Sequence, residues 1–213
     1  MSAATPHPSF YDVSKRVLDL AFSSLALIIC SPLMAVIVLI LLVCGGRPIF
    51  FIQVRPGLGE RPFRLVKFRT MRNSPDKELL DESNRVTRIG KFLRSTSLDE
   101  LPSLWNVVRG DLSFVGPRPL LMEYLPLYLP GHLKRHDVRP GMTGLSQVSG
   151  RNLVSWKQRL DMDIEYIHNR RFALDLEILL KTVLVVLGRR GVSRADGTIM
   201  PRLHSQYDER TDS

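Results

Sequence analysis

The chain has 213 residues, with 30 Lys and Arg against 21 Asp and Glu, a formal charge of +9 and a pI near 10.0. That is enough for one domain with a good core and an appended segment, and the basic excess calls for an anionic partner: nucleic acid, an anionic membrane face or a phosphorylated substrate. The only cysteines, Cys30 and Cys44, lie in one apolar stretch, which excludes a disulfide framework and a cysteine metal site and fits a reducing compartment.

From Leu20 to Gly46 no residue is charged. Roughly 20 apolar residues span a bilayer core, so this is a membrane segment. It is too long for a cleaved signal peptide. Two arrangements are open, a single spanning helix and a helix–break–helix that enters one leaflet and returns. Two observations favour the second. Ser31-Pro32 sits at the midpoint, where Pro32 cannot donate to the Ile28 carbonyl and Ser31 can bond back to a freed one. Basic residues also flank both ends: Lys15 and Arg16 before the segment, Arg47, Arg55, Arg61 and Arg64 after it. Positive charge on both flanks puts both on the cytoplasmic side.

The runs PIFFIQV and PFRLVKFRTM, separated by RPGLGER, predict a β-hairpin between Ile49 and Met71. Lys67, inside the second run, is the cation there best placed for a specific anion. Residues 73–88 read as a polar loop or short helix. RIGKFLRSTS has helical spacing of Arg88, Lys91 and Arg94. Helical patterning returns at Trp156–Asn169 and at Leu174–Leu187, the latter too short and too charged to span and so a core or interfacial helix. The tail after Gly197 is polar and reads as loosely ordered.

The stretch SLDELPSLW (Ser97–Trp105) sets two carboxylates before a proline. Ser97 and Glu100 have the spacing of a capping box. Yet with Ser97 as cap, Pro102 would fall inside the helix and lose a hydrogen bond. With Asp99 as cap, the proline costs nothing and one carboxylate lacks a structural role. At a helix start both would favour their ionised forms, which suits a nucleophile or a magnesium ligand.

Three framed arginines complement this pair: Arg118 between Pro117 and Pro119, Arg139 before Pro140-Gly141, and Arg151 between Gly150 and Asn152. A guanidinium fork matches paired phosphate oxygens, and rigid flanks reduce the entropy lost on binding. Each alone would be an ordinary surface arginine; together they point to phosphate recognition. Asp161, Asp163 and Glu165 read as a solvated face, Asp175 as a partner for an arginine, and His132, His136 and His168 lack metal-ligand spacing.

Four motifs carry a family resemblance: Ser31-Pro32, KFRTM (Lys67–Met71), RSTSLDELPSLWNVVRGDLSFVGPRP (Arg94–Pro119) and RPGMTGLSQVSGRN (Arg139–Asn152). The chain resembles the bacterial sugar transferases, small monotopic polyprenyl-phosphate phosphoglycosyl transferases, from about Val13 to Ser193. EYLPLY (Glu123–Tyr128) and LKRHDVRPG (Leu133–Gly141) further resemble the branch using diacetylbacillosamine or other N-acetylated amino sugars.

The resemblance implies transfer of a sugar-1-phosphate from a UDP-sugar to undecaprenyl phosphate, with release of UMP. It implies Asp99 as the nucleophile forming an aspartyl-phosphosugar and Glu100 as a ligand of Mg²⁺. Lys67, Arg94, Arg118, Arg139 and Arg151 would contact phosphate or nucleotide, and Asp163 and Asp175 would orient them. The implied fold is α+β and mostly helical: a re-entrant helix broken at Ser31-Pro32 (residues 1–46), a cytosolic catalytic domain with a β-hairpin and amphipathic interfacial helices (47–195), and a polar tail (196–213).

The expected location is the inner face of the bacterial cytoplasmic membrane, in contact with lipid. The extra membrane helices of larger members are missing, so the minimal catalytic form is expected, and a homodimer is left open. A related enzyme using UDP-glucose or UDP-galactose is the alternative. A non-catalytic basic anchor fits less well, and no aromatic pattern supports a nucleic-acid partner.

Overall fold

The computed structural model describes residues 9–72, 85–149 and 155–188, together with Leu203. The chain begins with α1 (Phe10–Gly45), started by a capping box in which Ser9 and Asp12 bond reciprocally. Next comes the antiparallel hairpin of β1 (Phe50–Pro56) and β2 (Pro62–Phe68), paired from Phe50↔Phe68 to Pro56↔Pro62 as the two runs predict. Helix α2 (Arg88–Ser95), a 3₁₀ segment (Leu98–Ser103) and α3 (Leu104–Arg109) follow. Short strands β3 (Ser113–Val115) and β4 (Gly141–Thr143) pair in parallel. Between them lie α4 (Pro130–Leu133) and two 3₁₀ turns, and after them α5 (Leu145–Val148). Helices α6 (Trp156–Asn169) and α7 (Phe172–Leu187) close the described fold, which is mostly helical, as expected.

Helix α1 corrects one expectation. It is not divided into two helices at Ser31-Pro32 but stays helical through Pro32 over 36 residues, ~54 Å. The compensation is local. Ser31 Oγ donates to the Ile28 carbonyl at 2.8 Å, the group that Pro32 cannot reach. Asp19, Ser23, Ile37 and Leu41, on one helical stripe, are buried, while Leu20, Phe22, Leu25, Ile28, Ile29, Val36, Leu39 and Val43 stay exposed. Phe50, Ile52 and Val54 of β1 and Leu176, Leu180, Val183 and Leu184 of α7 are also exposed.

Both ends of α1 are fastened to the body. Arg16 donates to the Val107 and Val108 carbonyls at 2.6 and 2.7 Å, and the Phe114 N–H donates to buried Asp19. Asp175 accepts from Lys15 Nζ at 2.5 Å and from the Tyr11 and Tyr166 hydroxyls at 2.8 Å. At the far end Ile37 and Leu41 pack with Phe68 and Leu93, and Arg69 donates to the Gly45 and Gly46 carbonyls. Asp175 is thus a clamp on α1 whose ion-pair partner is a lysine, not one of the candidate arginines.

A further core gathers Leu120, Tyr124, Tyr128, Trp156 and Leu160. Leu203 is fully buried in it; the rest of the polar tail, read from the sequence as loosely ordered, lies outside the described residues. Residues 73–84 of the polar loop lie outside the described residues.

Candidate active site

Asp99 and Glu100 lie in the 3₁₀ segment, and Ser97 does not cap it. Ser97 has a left-handed backbone (φ 57°) and its side chain makes no capping bond; only the Glu100 N–H reaches back, to the Ser97 carbonyl. The capping-box alternative is therefore set aside, and Pro102 is accommodated by 3₁₀ rather than α geometry. The segment is anchored to β2 from the other side: Ser103 Oγ donates to the Val66 carbonyl, and the Val66 N–H donates to Asn106 Oδ1.

The two carboxylates have opposite environments. Glu100 Oε1 accepts from Lys67 Nζ at 2.5 Å and from Arg118 at 3.3 Å. Burial works against its charge, but these two cations prevail and hold its carboxyl down to about 2. Asp99 accepts no hydrogen bond from the described residues. Burial and the neighbouring Glu100 charge raise its pKa, outweighing Lys67, Arg94 and Arg118. This corrects the expectation that both acids favour ionisation: only Glu100 does.

Both acids face a cleft of about 1050 Å³ that Lys67, Arg94, Arg118 and Asp163 also line. Arg94 is aimed by Thr70, whose Oγ1 accepts from its Nε at 2.8 Å. That contact needs Gly90, because a Cβ there would sit 2.0 Å from the Thr70 carbonyl oxygen. Arg118 is carried on the loop after β3, and Gly116 lets that loop touch β4: a Cβ at Gly116 would lie 2.5 Å from the Arg139 carbonyl.

Two expected residues are elsewhere, and one is outside the described residues. Arg139 does not line the cleft; its Nε donates to the Gly110 carbonyl at 3.0 Å, where it helps cap the end of α3. Asp175 clamps α1, as above, and Arg151 lies outside the described residues. Asp163 is in the cleft wall but orients a residue the sequence did not single out. It accepts from the Nε and NH2 of Arg135 at 3.2 and 2.7 Å and from Ser146 Oγ at 2.9 Å, with Arg135 and Asp163 both buried. Arg135 in turn donates to the Arg118 carbonyl at 2.7 Å and to the Tyr128 hydroxyl at 3.0 Å. Arg55 and Arg159 also line the cleft and were likewise missed.

No group of three or more His, Cys, Asp or Glu converges as a metal cage among the described residues. The pair still fits magnesium, which is commonly held by one or two carboxylates and completed by substrate phosphates and water. Glu100 uses Oε1 for both cations, and no described hydrogen bond reaches Oε2.

An unbonded carboxylate of raised basicity, a fixed anion beside it and a cationic cleft next to an apolar surface define a site for charged phosphate chemistry at a membrane. The bacterial sugar transferase family matches residues 10–189, and the chain belongs to that family. It is 43% identical over 198 residues to the uncharacterized sugar transferase EpsL of Bacillus subtilis, covering 92% of this chain and 98% of that one. It is 41% identical to the UDP-glucose:undecaprenyl-phosphate glucose-1-phosphate transferase of Klebsiella pneumoniae, covering 80% of this chain but 39% of that protein. The enzyme of the same description from Caulobacter vibrioides is 40% identical, over 81% of this chain and 69% of the relative.

Proposed function

We propose that this sugar transferase moves a hexose-1-phosphate from a UDP-sugar to undecaprenyl phosphate, releasing UMP, through a covalent phosphosugar on Asp99. The contrast between Asp99 and Glu100 carries the reading. In the first half-reaction an Asp99 carboxylate oxygen bonds to the sugar-proximal phosphorus. The P–O bond to UMP breaks and its electron pair leaves with UMP. In the second, an oxygen of the lipid phosphate bonds to the same phosphorus and the Asp99–phosphorus bond breaks. Both nucleophiles are anions, so neither step needs a general base, and the described residues lining the cleft include no histidine.

Phosphoryl transfer of this kind depends on positioning and charge neutralisation. Lys67, Arg94 and Arg118 supply fixed positive charge around Asp99. Glu100, kept ionised, holds Lys67 and Arg118 in place and through Oε2 is the residue that would hold Mg²⁺. That ion supplies further neutralisation of the diphosphate.

For the donor we favour UDP-glucose or UDP-galactose over an N-acetylated amino sugar. The Klebsiella and Caulobacter relatives are described by UDP-glucose. The segments that suggested an amino sugar contribute mainly to the interior: Tyr124 and Tyr128 are core residues, His136 is buried, and Arg135 pairs with buried Asp163.

We further propose a monotopic seat on the cytosolic face of the bacterial inner membrane. Arg16 and Leu41 are about 25 residues apart, ~37 Å of helix, enough for a spanning helix to part them across a ~30 Å core. Yet they attach to α3 and β2, elements joined by the Val66–Asn106 bond. The exposed apolar residues of α1, β1 and α7 fit burial in one leaflet.

The test is a UMP-release screen over UDP-glucose, UDP-galactose and N-acetylated UDP-sugars with Mg²⁺, with mass analysis of Asp99 when lipid acceptor is withheld. UMP release with a hexose-phosphate adduct on Asp99 is expected. Release that persists in Asp99→Asn would sink the nucleophile assignment.

A further inference from the structure

The ladder between β1 and β2 sets which way the backbone groups of β2 point. The Arg69 N–H donates to the Ile49 carbonyl at one end of the hairpin, and the Gly57 N–H to the Arg61 carbonyl at the other. Bonded positions alternate in an antiparallel pair, so the odd-numbered residues of β2 bond to β1. The N–H and C=O groups of Arg64 and Val66 therefore point away from β1. On that outer edge two side chains stand where a third strand would. The Val66 N–H donates to Asn106 Oδ1 at 3.1 Å, and Asn106 Nδ2 donates to the Arg64 carbonyl at 2.7 Å. Ser103 Oγ donates to the Val66 carbonyl at 2.7 Å.

Asn106 is held rigidly in this place. Its amide offers the donor and the acceptor of a peptide group. The second Nδ2 hydrogen goes to Asp111 Oδ2 at 3.1 Å, so a flipped amide would lose every one of these bonds. Its own carbonyl accepts from the N–H groups of Gly110, Asp111 and Leu112, which fixes its backbone at the end of α3. Asn106 and Ser103 are 1% and 2% exposed, so water does not replace either side chain.

The edge contact bears on the site because Lys67 follows Val66 directly, and its Nζ reaches Glu100 Oε1 at 2.5 Å. A two-stranded hairpin is marginal by itself, and a slip of one residue turns every side chain of a strand to the other face. Ser103 ends the 3₁₀ segment that carries Asp99 and Glu100, and Asn106 lies on the helix that continues it. The same bonds thus tie the strand of the cation to the segment of the anions. We propose that Asn106 and Ser103 are positioning residues for the transfer reaction: standing in for a third strand, they fix β2 against the 3₁₀ segment and so set the place of the Lys67 ammonium beside the acidic pair. This rests on the reaction proposed above.

UMP release by the full chain in nanodiscs tests it, measured in single turnover between pH 4 and 8 and corrected for the folded fraction. Asn106→Ala should slow release about tenfold to a hundredfold, as a displaced catalytic group does. Ser103→Ala should slow it about fivefold, the worth of one hydrogen bond. The Lys67 charge lowers the Asp99 pKa, so a displaced Lys67 leaves Asp99 more basic. Both variants should then move the acid limb to higher pH, as Lys67→Gln does. In a Lys67→Gln background neither should change the rate or the limb further.

Side chains that only covered a strand edge would lower the melting temperature and leave the limb in place. A wild-type limb in both variants, or effects that add in full to those of Lys67→Gln, would overturn the positioning role. If Asn106→Ala fails to fold, Ser103→Ala decides the matter by itself, and a wild-type rate and limb there would overturn it. Failure of the underlying reaction looks different: the wild-type protein itself would release no UMP from any UDP-sugar, and this role would fall with it.

Discussion

Glu100 raises the pKa of its chain neighbour Asp99, while Lys67 and Arg118 hold Glu100 itself down to about 2. The pair thus divides two duties that one carboxylate could not combine. The ionised member fixes the cations, and the more basic member stays unbonded and available to phosphorus.

This division predicts a pH profile. Asp99 reacts as its carboxylate, so UMP release should fall on the acid side at a pH above that of an ordinary aspartate near 3.9. Glu100→Gln removes a negative neighbour and should move the acid limb to lower pH, although it also lowers the rate by freeing Lys67 and Arg118. Arg94→Gln removes a charge that lowers the Asp99 pKa and should move the limb to higher pH. Single-turnover UMP release between pH 4 and 8 reads both shifts; movement of both variants in the same direction would refute the assignment.

The Arg135–Asp163 pair should matter for both stability and rate. Both side chains are 2% exposed, so either one left alone would be a buried, uncompensated charge or polar group. Arg135→Met should destabilise the protein by about 3–5 kcal/mol, read by thermal unfolding in nanodiscs. It should also lower the rate among molecules that remain folded, since Arg135 holds the Arg118 carbonyl. A variant as stable as the wild type would show that the pair is not an anchor.

Much of the site was legible because its residues sit in short motifs. Asp99, Glu100, Lys67, Arg94 and Arg118 share the cleft, and the hairpin followed from two β-rich runs around a glycine turn. Arg139 misled because an arginine before Pro-Gly reads alike whether it faces a ligand or, as here, the Gly110 carbonyl. Arg135 and Asp163 are 28 residues apart and meet only through tertiary packing, which leaves no local pattern. Arg55 did leave a signal. Gln53 and Arg55 alternate with exposed Ile52 and Val54, which puts the two polar side chains on one face of β1, and both line the cleft.

The glycines between β3 and β4 give a test with an internal control. A Cβ at Gly141 would lie 2.1 Å from the Gly116 nitrogen, and one at Gly144 would lie 2.2 Å from the Gly116 carbonyl oxygen. At Gly131 a Cβ would meet nothing within 4 Å. Gly141→Ala should therefore force the strands apart, displace the Arg118 loop and cost about 1–3 kcal/mol or more, as overpacking does. Gly131→Ala should leave both melting temperature and UMP release close to wild type. Equal tolerance at the two positions would contradict the close backbone approach.

The membrane seat can be tested from both ends of α1. In a Cys30→Ala, Cys44→Ala background, Thr5→Cys and Glu60→Cys should both resist an impermeant maleimide added to intact spheroplasts and both react after lysis. Labelling of one from outside would restore a spanning helix. The proline is the second lever. Ser31 supplies the donor that Pro32 lacks, at an exposed position on the apolar surface where water would not replace it. Ser31→Ala should leave the Ile28 carbonyl unpaired and cost about 1–3 kcal/mol, whereas Ser31→Thr, which keeps a hydroxyl able to bond back along the helix, should cost little. Thermal unfolding in nanodiscs separates the two, and equal stability of both variants would mean that the Ile28 carbonyl finds another donor.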